Sequence, residues 1–169
     1  SIACTQKGTR PGHPYADVVF AFAFHRILKT LATKLENLEL RPKLPTVDPA
    51  EPLIVLGQVT KMPLPTFFDD FIAQILAKNP TTLLKDLGRA LALTAESLAN
   101  SGMQVNDKPG KTEILVDFNG VGEKHAADLL TCGHITTIHA SGPTFKALDV
   151  QIVGQYRHLG SYNAGCQQH

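Results

Sequence analysis

From Asp17 onward, Phe20, Phe24, Ile27, Leu31, Leu35 and Leu38 recur at steps of three or four. At 3.6 residues per turn this is one continuous apolar stripe, while Arg26, Lys29, Lys34 and Glu36 fall mostly off it. The spacing predicts a helix over 16–38, and its stripe is most simply core. Upstream, residues 1–15 carry Gly8, Pro11, Gly12 and Pro14 and read as a polar loop that ends where the helix begins. Downstream, Pro42, Pro45, Pro49 and Pro52 each fix φ and remove a donor, so 41–52 is expected to hold no regular structure.

The remaining segments alternate between the two periods. Leu53 to Leu56 is a short strand candidate, and Pro63 and Pro65 precede Phe67-Phe68-Asp69-Asp70-Phe71-Ile72. Two apolar flanks around a carboxylate pair predict a β-hairpin with the acids at its tip. A second helix is marked by Asn79 as cap, Pro80 in the first turn, the stripe Leu84, Leu87, Leu91, Ala95 and Leu98, and Gly102 past the end. Thr112 to Phe118 reads as a strand, 122–131 as a short helix, and 135–140 with 147–153 as a hairpin turning at Ser141-Gly142-Pro143. Helices and strands in blocks, without a βαβ series, predict an α+β fold with an antiparallel sheet packed on two long helices.

Bulk properties narrow the function classes. A chain of 169 residues is the size of one domain, and with 43% hydrophobic and 18% charged residues it is a folded globular protein. A net charge of +1 means that no global basic field advertises nucleic acid, so such a role must rest on local geometry. Three cysteines without C-x-x-C spacing argue against a disulfide framework or a zinc ribbon and for a reducing, intracellular setting. The most apolar stretch, Val18 to Phe24, is a third of a membrane span. The chain opens on Ser1 with neither a basic nor an apolar leader, and it is expected to be a piece of something longer.

Acids at the tip of an apolar hairpin are costly to desolvate without a cation, and a hard divalent ion is the natural partner. Mg²⁺ takes one or two carboxylates and completes its shell with water and substrate phosphates. A zinc reading of Cys132, His134 and His139 has non-standard spacing and no obvious fourth ligand.

Four segments in one order then carry a resemblance. Gly8, Arg10, Gly12, Pro14 and Phe20 match the shape G-x-R-x-G-x-P-x-x-x-x-x-F that opens a long helix. Phe67-Phe68-Asp69-Asp70 is an aromatic-x-Asp-Asp box; Gly102 to Asn106 with Gly110-Lys111-Thr112-Glu113 forms the next block; Tyr156 to Gly160 has the form Y-x-x-L-G. In this order the chain resembles the palm of a reverse transcriptase, an RNA-directed DNA polymerase, especially those of non-LTR retroelements. The resemblance spans about residues 5–161. Pro11 stands where many relatives carry Gln, and Ala16-Asp17 where they carry Ser-Pro.

The resemblance implies a partial palm over 1–169, with fingers and first catalytic strand upstream and thumb downstream. Asp69 and Asp70 would be catalytic and hold Mg²⁺ or Mn²⁺, with Lys111 steadying a triphosphate or protonating the leaving pyrophosphate. Gly8, Arg10, Gly12 and Pro14 would approach the nucleotide and template, and Tyr156, Leu159 and Gly160 the primer end. The implied partners are an RNA template, a DNA primer and dNTPs, with no membrane, in an intracellular setting that includes the nucleus. In-line transfer needs metals clamped between carboxylates of two separate blocks, so the chain by itself is expected to be inactive. The competing expectation is a non-catalytic nucleic-acid-binding or scaffold domain that keeps the palm fold. A third is an unrelated metal-dependent hydrolase drawing on Asp86, Glu96, Asp107 or Glu113.

Overall fold

The computed structural model describes residues 15–47, 50, 55–61, 64–67, 70–77, 82–118, 121–158 and 161–164. The fold is α+β, and the chain divides into two compact units, 1–76 and 77–169.

The first unit is built on helix α1 (Ala16–Asn37). The middle of its stripe is core as the spacing predicts: Phe24, Ile27, Leu31 and Leu35 are buried together with Leu28, and Leu31 and Leu35 are fully so, whereas at the two ends Phe20 is exposed and Leu38 half-buried. Each such side chain contributes about 1.5–3 kcal/mol of apolar burial. After α1 the chain enters β1 (Lys43–Val47), which pairs antiparallel with β2 (Val55–Lys61). This corrects the expectation that prolines keep 41–52 irregular, because Pro45 sits inside β1 opposite Val59. In a two-stranded ribbon each strand has one side with no ladder, where a missing N–H removes no bond. The register also shifts between Pro45 and Val47, a local irregularity of the kind that accommodates proline. Of the Leu53-to-Leu56 strand candidate, Val55 and Leu56 open β2, and 53–54 lie outside the described residues.

An ion cluster ties the ribbon to the helix. Glu36 accepts from Arg41 through Oε1 and, at 2.6 Å, from Lys61 Nζ through Oε2. The Arg41 side chain is only 7% exposed, so Glu36 satisfies a buried guanidinium. Next to it, Leu40 is buried and its carbonyl accepts the Leu76 N–H at 2.7 Å.

The second unit packs α2 (Leu83–Ala99) on a three-stranded sheet in the order β5-β7-β6, with β5 (Glu113–Leu115), β6 (Thr137–Gly142) and β7 (Phe145–Val153). Asn79 and Pro80, read as the start of this helix, lie outside the described residues. Leu91 and Ala95 of α2 form one core with Ile138, Ala140, Leu148 and Val150 of the sheet, and Leu84, Leu87, Ile114 and Ile152 pack around it. The register explains that face: Ile138 stands opposite Val150, Ala140 opposite Leu148, and Ile114 opposite Ile152.

The sheet is mixed rather than wholly antiparallel, since β5 runs parallel to β7. A parallel neighbour requires a long crossover, and α3 (Glu123–Cys132) together with β6 supplies it. The β6–β7 turn falls at Pro143-Thr144, slightly beyond the expected Ser141-Gly142-Pro143, because Gly142 pairs with Phe145. A further hairpin joins β8 (Gln155–His158) to β9 (Ser161–Ala164). Among the described residues, no helix is long and apolar enough to cross a membrane.

The three helices among the described residues end in the same way. A residue with φ in the left-handed region follows each last turn, at Glu39 (56°), Gly102 (76°) and His134 (48°). The next N–H returns to a carbonyl five residues back: Leu40 to Leu35 at 3.0 Å, Met103 to Leu98 at 3.0 Å, and Ile135 to Leu130 at 3.1 Å.

Candidate functional site

Phe67 and Asp70, the outer residues of the acid box, lie on a hairpin. β3 (Thr66–Phe67) pairs antiparallel with β4 (Asp70–Phe71), with Thr66 opposite Phe71 and Phe67 opposite Asp70. Asp70 therefore occupies the closing pair, as the flanking pattern predicts; Phe68 and Asp69 lie outside the described residues. Pro65 does not interrupt the pairing, because a proline retains its carbonyl, and this one accepts the Ile72 N–H at 2.9 Å. Phe71 anchors the hairpin against Phe24 of α1, with ring centroids 6.0 Å apart and planes at 70°.

Asp70 is exposed. Its charge is thus solvated, and the expectation that burial among aromatics would force a cation onto it is not met at this residue. What remains is a carboxylate open to an incoming ion, in the company of solvent. Among the described residues, no group of three or more His, Cys, Asp or Glu side chains converges to hold a metal.

Lys111 ends a tight turn in the second unit. Its N–H bonds the Lys108 carbonyl at 3.1 Å, the Thr112 N–H bonds the Asn106 carbonyl at 3.1 Å, and the Gly110 N–H bonds Glu113 Oε1 at 3.2 Å. The lysine is exposed immediately before β5, where it leads into a strand as the sequence suggests. Tyr156 lies on β8 opposite Asn163, and Leu159 and Gly160 lie outside the described residues. Gly8, Arg10, Gly12 and Pro14 are likewise outside them. Of the candidates that are described, Asp70 belongs to the first unit, and Lys111 and Tyr156 to the second.

Two of the carboxylates considered for a hydrolase, Asp86 and Glu113, are engaged by close neighbours in sequence. Asp86 accepts the Thr82 hydroxyl at 2.9 Å and lies 3.8 Å from Arg89, and Glu113 is engaged by Gly110. The zinc reading of Cys132, His134 and His139 also disperses. His139 Nδ1 lies 2.8 Å from Asp149 Oδ1 across β6 and β7, His134 closes α3, and Cys132 is a free, exposed thiol.

Two arrangements were not read from the sequence. The His139–Asp149 pair depends on a hairpin register that the misplaced turn would have shifted. His125, Asp128 and Cys132, at i, i+3 and i+7 of α3, line an open concavity with Gly133, and their helical spacing was the available signal. No family model matches the chain, and no curated protein and no solved structure matches it either.

Proposed function

We propose that the chain is the palm portion of an RNA-directed DNA polymerase, extending a primer with dNTPs by two-metal phosphoryl transfer. The observation that carries the reading is the antiparallel pairing of Phe67 with Asp70, two residues of the aromatic-x-Asp-Asp segment, in a hairpin that follows α1 and precedes α2 along the chain. Further support comes from the order of the other blocks along the chain. The Gly8-to-Phe20 block precedes and enters α1 in the sequence, Lys111 ends a turn before β5, and Tyr156 of the Y-x-x-L-G block lies on β8, which pairs with β9.

Each residue has a physical task in this reading. Asp69 and Asp70 would hold Mg²⁺ or Mn²⁺, and an exposed carboxylate suits an ion that keeps water and phosphate in its shell. When bound, the metal supplies charge neutralisation on the reacting phosphate. Gly8 and Gly12 allow the backbone close to the templating base pair, and Pro14 stiffens that approach. Arg10 offers a planar fork to a phosphate. Lys111 brings an ammonium to the triphosphate, where it steadies charge and donates a proton to the departing pyrophosphate. Tyr156, Leu159 and Gly160 meet the primer end.

The test is template-dependent dNTP incorporation on an RNA template with a DNA primer. Residues 1–169 alone should incorporate nothing with either metal, because one carboxylate block does not clamp two ions. Joined to whatever its reading frame encodes upstream of Ser1, the protein should incorporate, and Asp70→Asn should lower the rate by at least about 10²-fold. Incorporation that is insensitive to Asp70→Asn, or absent from the extended protein, overturns the reading.

A further inference from the structure

Helix α1 has two unlike faces. One turns Phe24, Ile27, Leu28, Leu31 and Leu35 into the core of the first unit and carries the contact with Phe71 of the acid hairpin. At 100° per residue, Val18, Val19, Phe22, Arg26 and Lys29 lie on the opposite side, and all five are exposed. Phe22 shows 72% of its surface. Between Asp17 and Glu36 the helix has no carboxylate. Arg26 and Lys29 stand more than two turns before the helix end at Asn37, so the helix dipole does not account for them. The Thr30 and Thr33 hydroxyls return to the Arg26 and Lys29 carbonyls at 3.0 and 3.1 Å, which leaves the charged groups as the polar presence on this face.

A bare aromatic ring followed one and two turns later by cations matches single-stranded nucleic acid. An unstacked base lies on the ring, and the phosphates beside it meet the guanidinium and the ammonium. From Phe22 to Lys29 the helix advances about 10 Å, the length of about three stacked nucleotides at ~3.4 Å each. A duplex has no free base for Phe22. A membrane surface needs an apolar face along the whole helix, whereas the open face of α1 is apolar at Val18, Val19 and Phe22 and turns basic at Arg26 and Lys29.

We propose that this outward face of α1 is an exosite for single-stranded RNA, separated from the Asp70 hairpin by the thickness of the helix. It rests on the polymerase reading, under which a single strand must be held near the site.

The test is fluorescence anisotropy of the 169-residue chain with a fluorescein-labelled 12-nucleotide oligo(U), over a salt series. Phe22→Ala should weaken binding about 5- to 100-fold and leave the salt slope unchanged. Arg26→Glu with Lys29→Glu should weaken it at least about tenfold and reduce the slope of log K against log[salt] by about 1.4. These positions are exposed, and circular dichroism on each variant checks that the helix is retained. If the variants bind oligo(U) as the unaltered chain does, the exosite is wrong, and the Asp70→Asn incorporation assay still decides the polymerase reading. If they lose binding as stated while the extended protein incorporates nothing, the RNA contact stands and the polymerase reading falls. Binding to phosphatidylserine vesicles in place of oligo(U), lost in the same variants, overturns the proposal in favour of a membrane.

Discussion

The rings of Phe24 and Phe71 meet edge to face, 6.0 Å between centroids, and this contact joins the helix that follows the glycine–arginine block to the strand that begins with Asp70. Phe20 extends the aromatic column by stacking on Phe24 at 5.4 Å. Through Phe24, the long helix therefore has a direct hold on the orientation of the carboxylate hairpin.

Truncating this contact should loosen the first unit. Phe24 is 5% exposed, and Phe24→Ala should cost about 3–5 kcal/mol in denaturant unfolding. A double-mutant cycle with Phe71→Ala should show a coupling of about 0.5–1.5 kcal/mol, the usual worth of an aromatic pair beyond its burial. A coupling near zero would mean that the rings do not hold the hairpin to the helix.

Glu36 should give the first unit an acid-sensitive limb. Its hydrogen bond from Lys61, aided by the charges of Lys61 and Arg41, holds the carboxyl below the usual 4.5, against an opposing push from burial. A carboxyl depressed on folding contributes stability that is fully present above its unfolded value and is lost as pH falls through the folded one. Wild type should lose stability progressively below about pH 4.5, whereas Glu36→Gln should be less stable at neutral pH and show a flatter acid limb. Urea midpoints measured from pH 3 to pH 7 check this, and parallel curves for the two proteins would refute it.

The helix ends offer a paired test in the second unit. Gly102 and His134 occupy equivalent left-handed positions after α2 and α3, with φ of 76° and 48°. A side chain there costs about 1 kcal/mol through contact between Cβ and the following carbonyl. Gly102→Ala should destabilise by about that amount, and His134→Gly should stabilise by a similar one. Shifts of the same sign in thermal unfolding would show that helix closure is not what these positions contribute.

Much of the local structure was legible because it is written in periods and punctuation. The stripe from Phe24 to Leu35 specified α1, the leucines from Leu84 to Leu98 specified α2, and Gly102 marked the end of α2 because glycine reaches positive φ without strain. The ends of α1 and α3 carry no such mark, since Glu39 and His134 adopt the same conformation against their preference, held by bonds to the preceding turn. Pro45 misled for a related reason, because whether a missing N–H matters depends on which side of a strand has a neighbour.

Of the candidate site, the sequence by itself determined the motif order and the hairpin that carries Asp70, because alternation and turn chemistry act over a few residues. Tertiary structure alone decided the parallel pairing of β5 with β7, the burial of Arg41 against Glu36 and the exposure of Asp70. The division of α1 into a core face and an open one bearing Arg26 and Lys29 follows from its stripe, whereas the exposure of Phe22 was decided by tertiary structure. The physical reason is reach: a propensity is a property of one residue and its near neighbours, whereas burial and pairing are set by segments that the chain brings together from far apart.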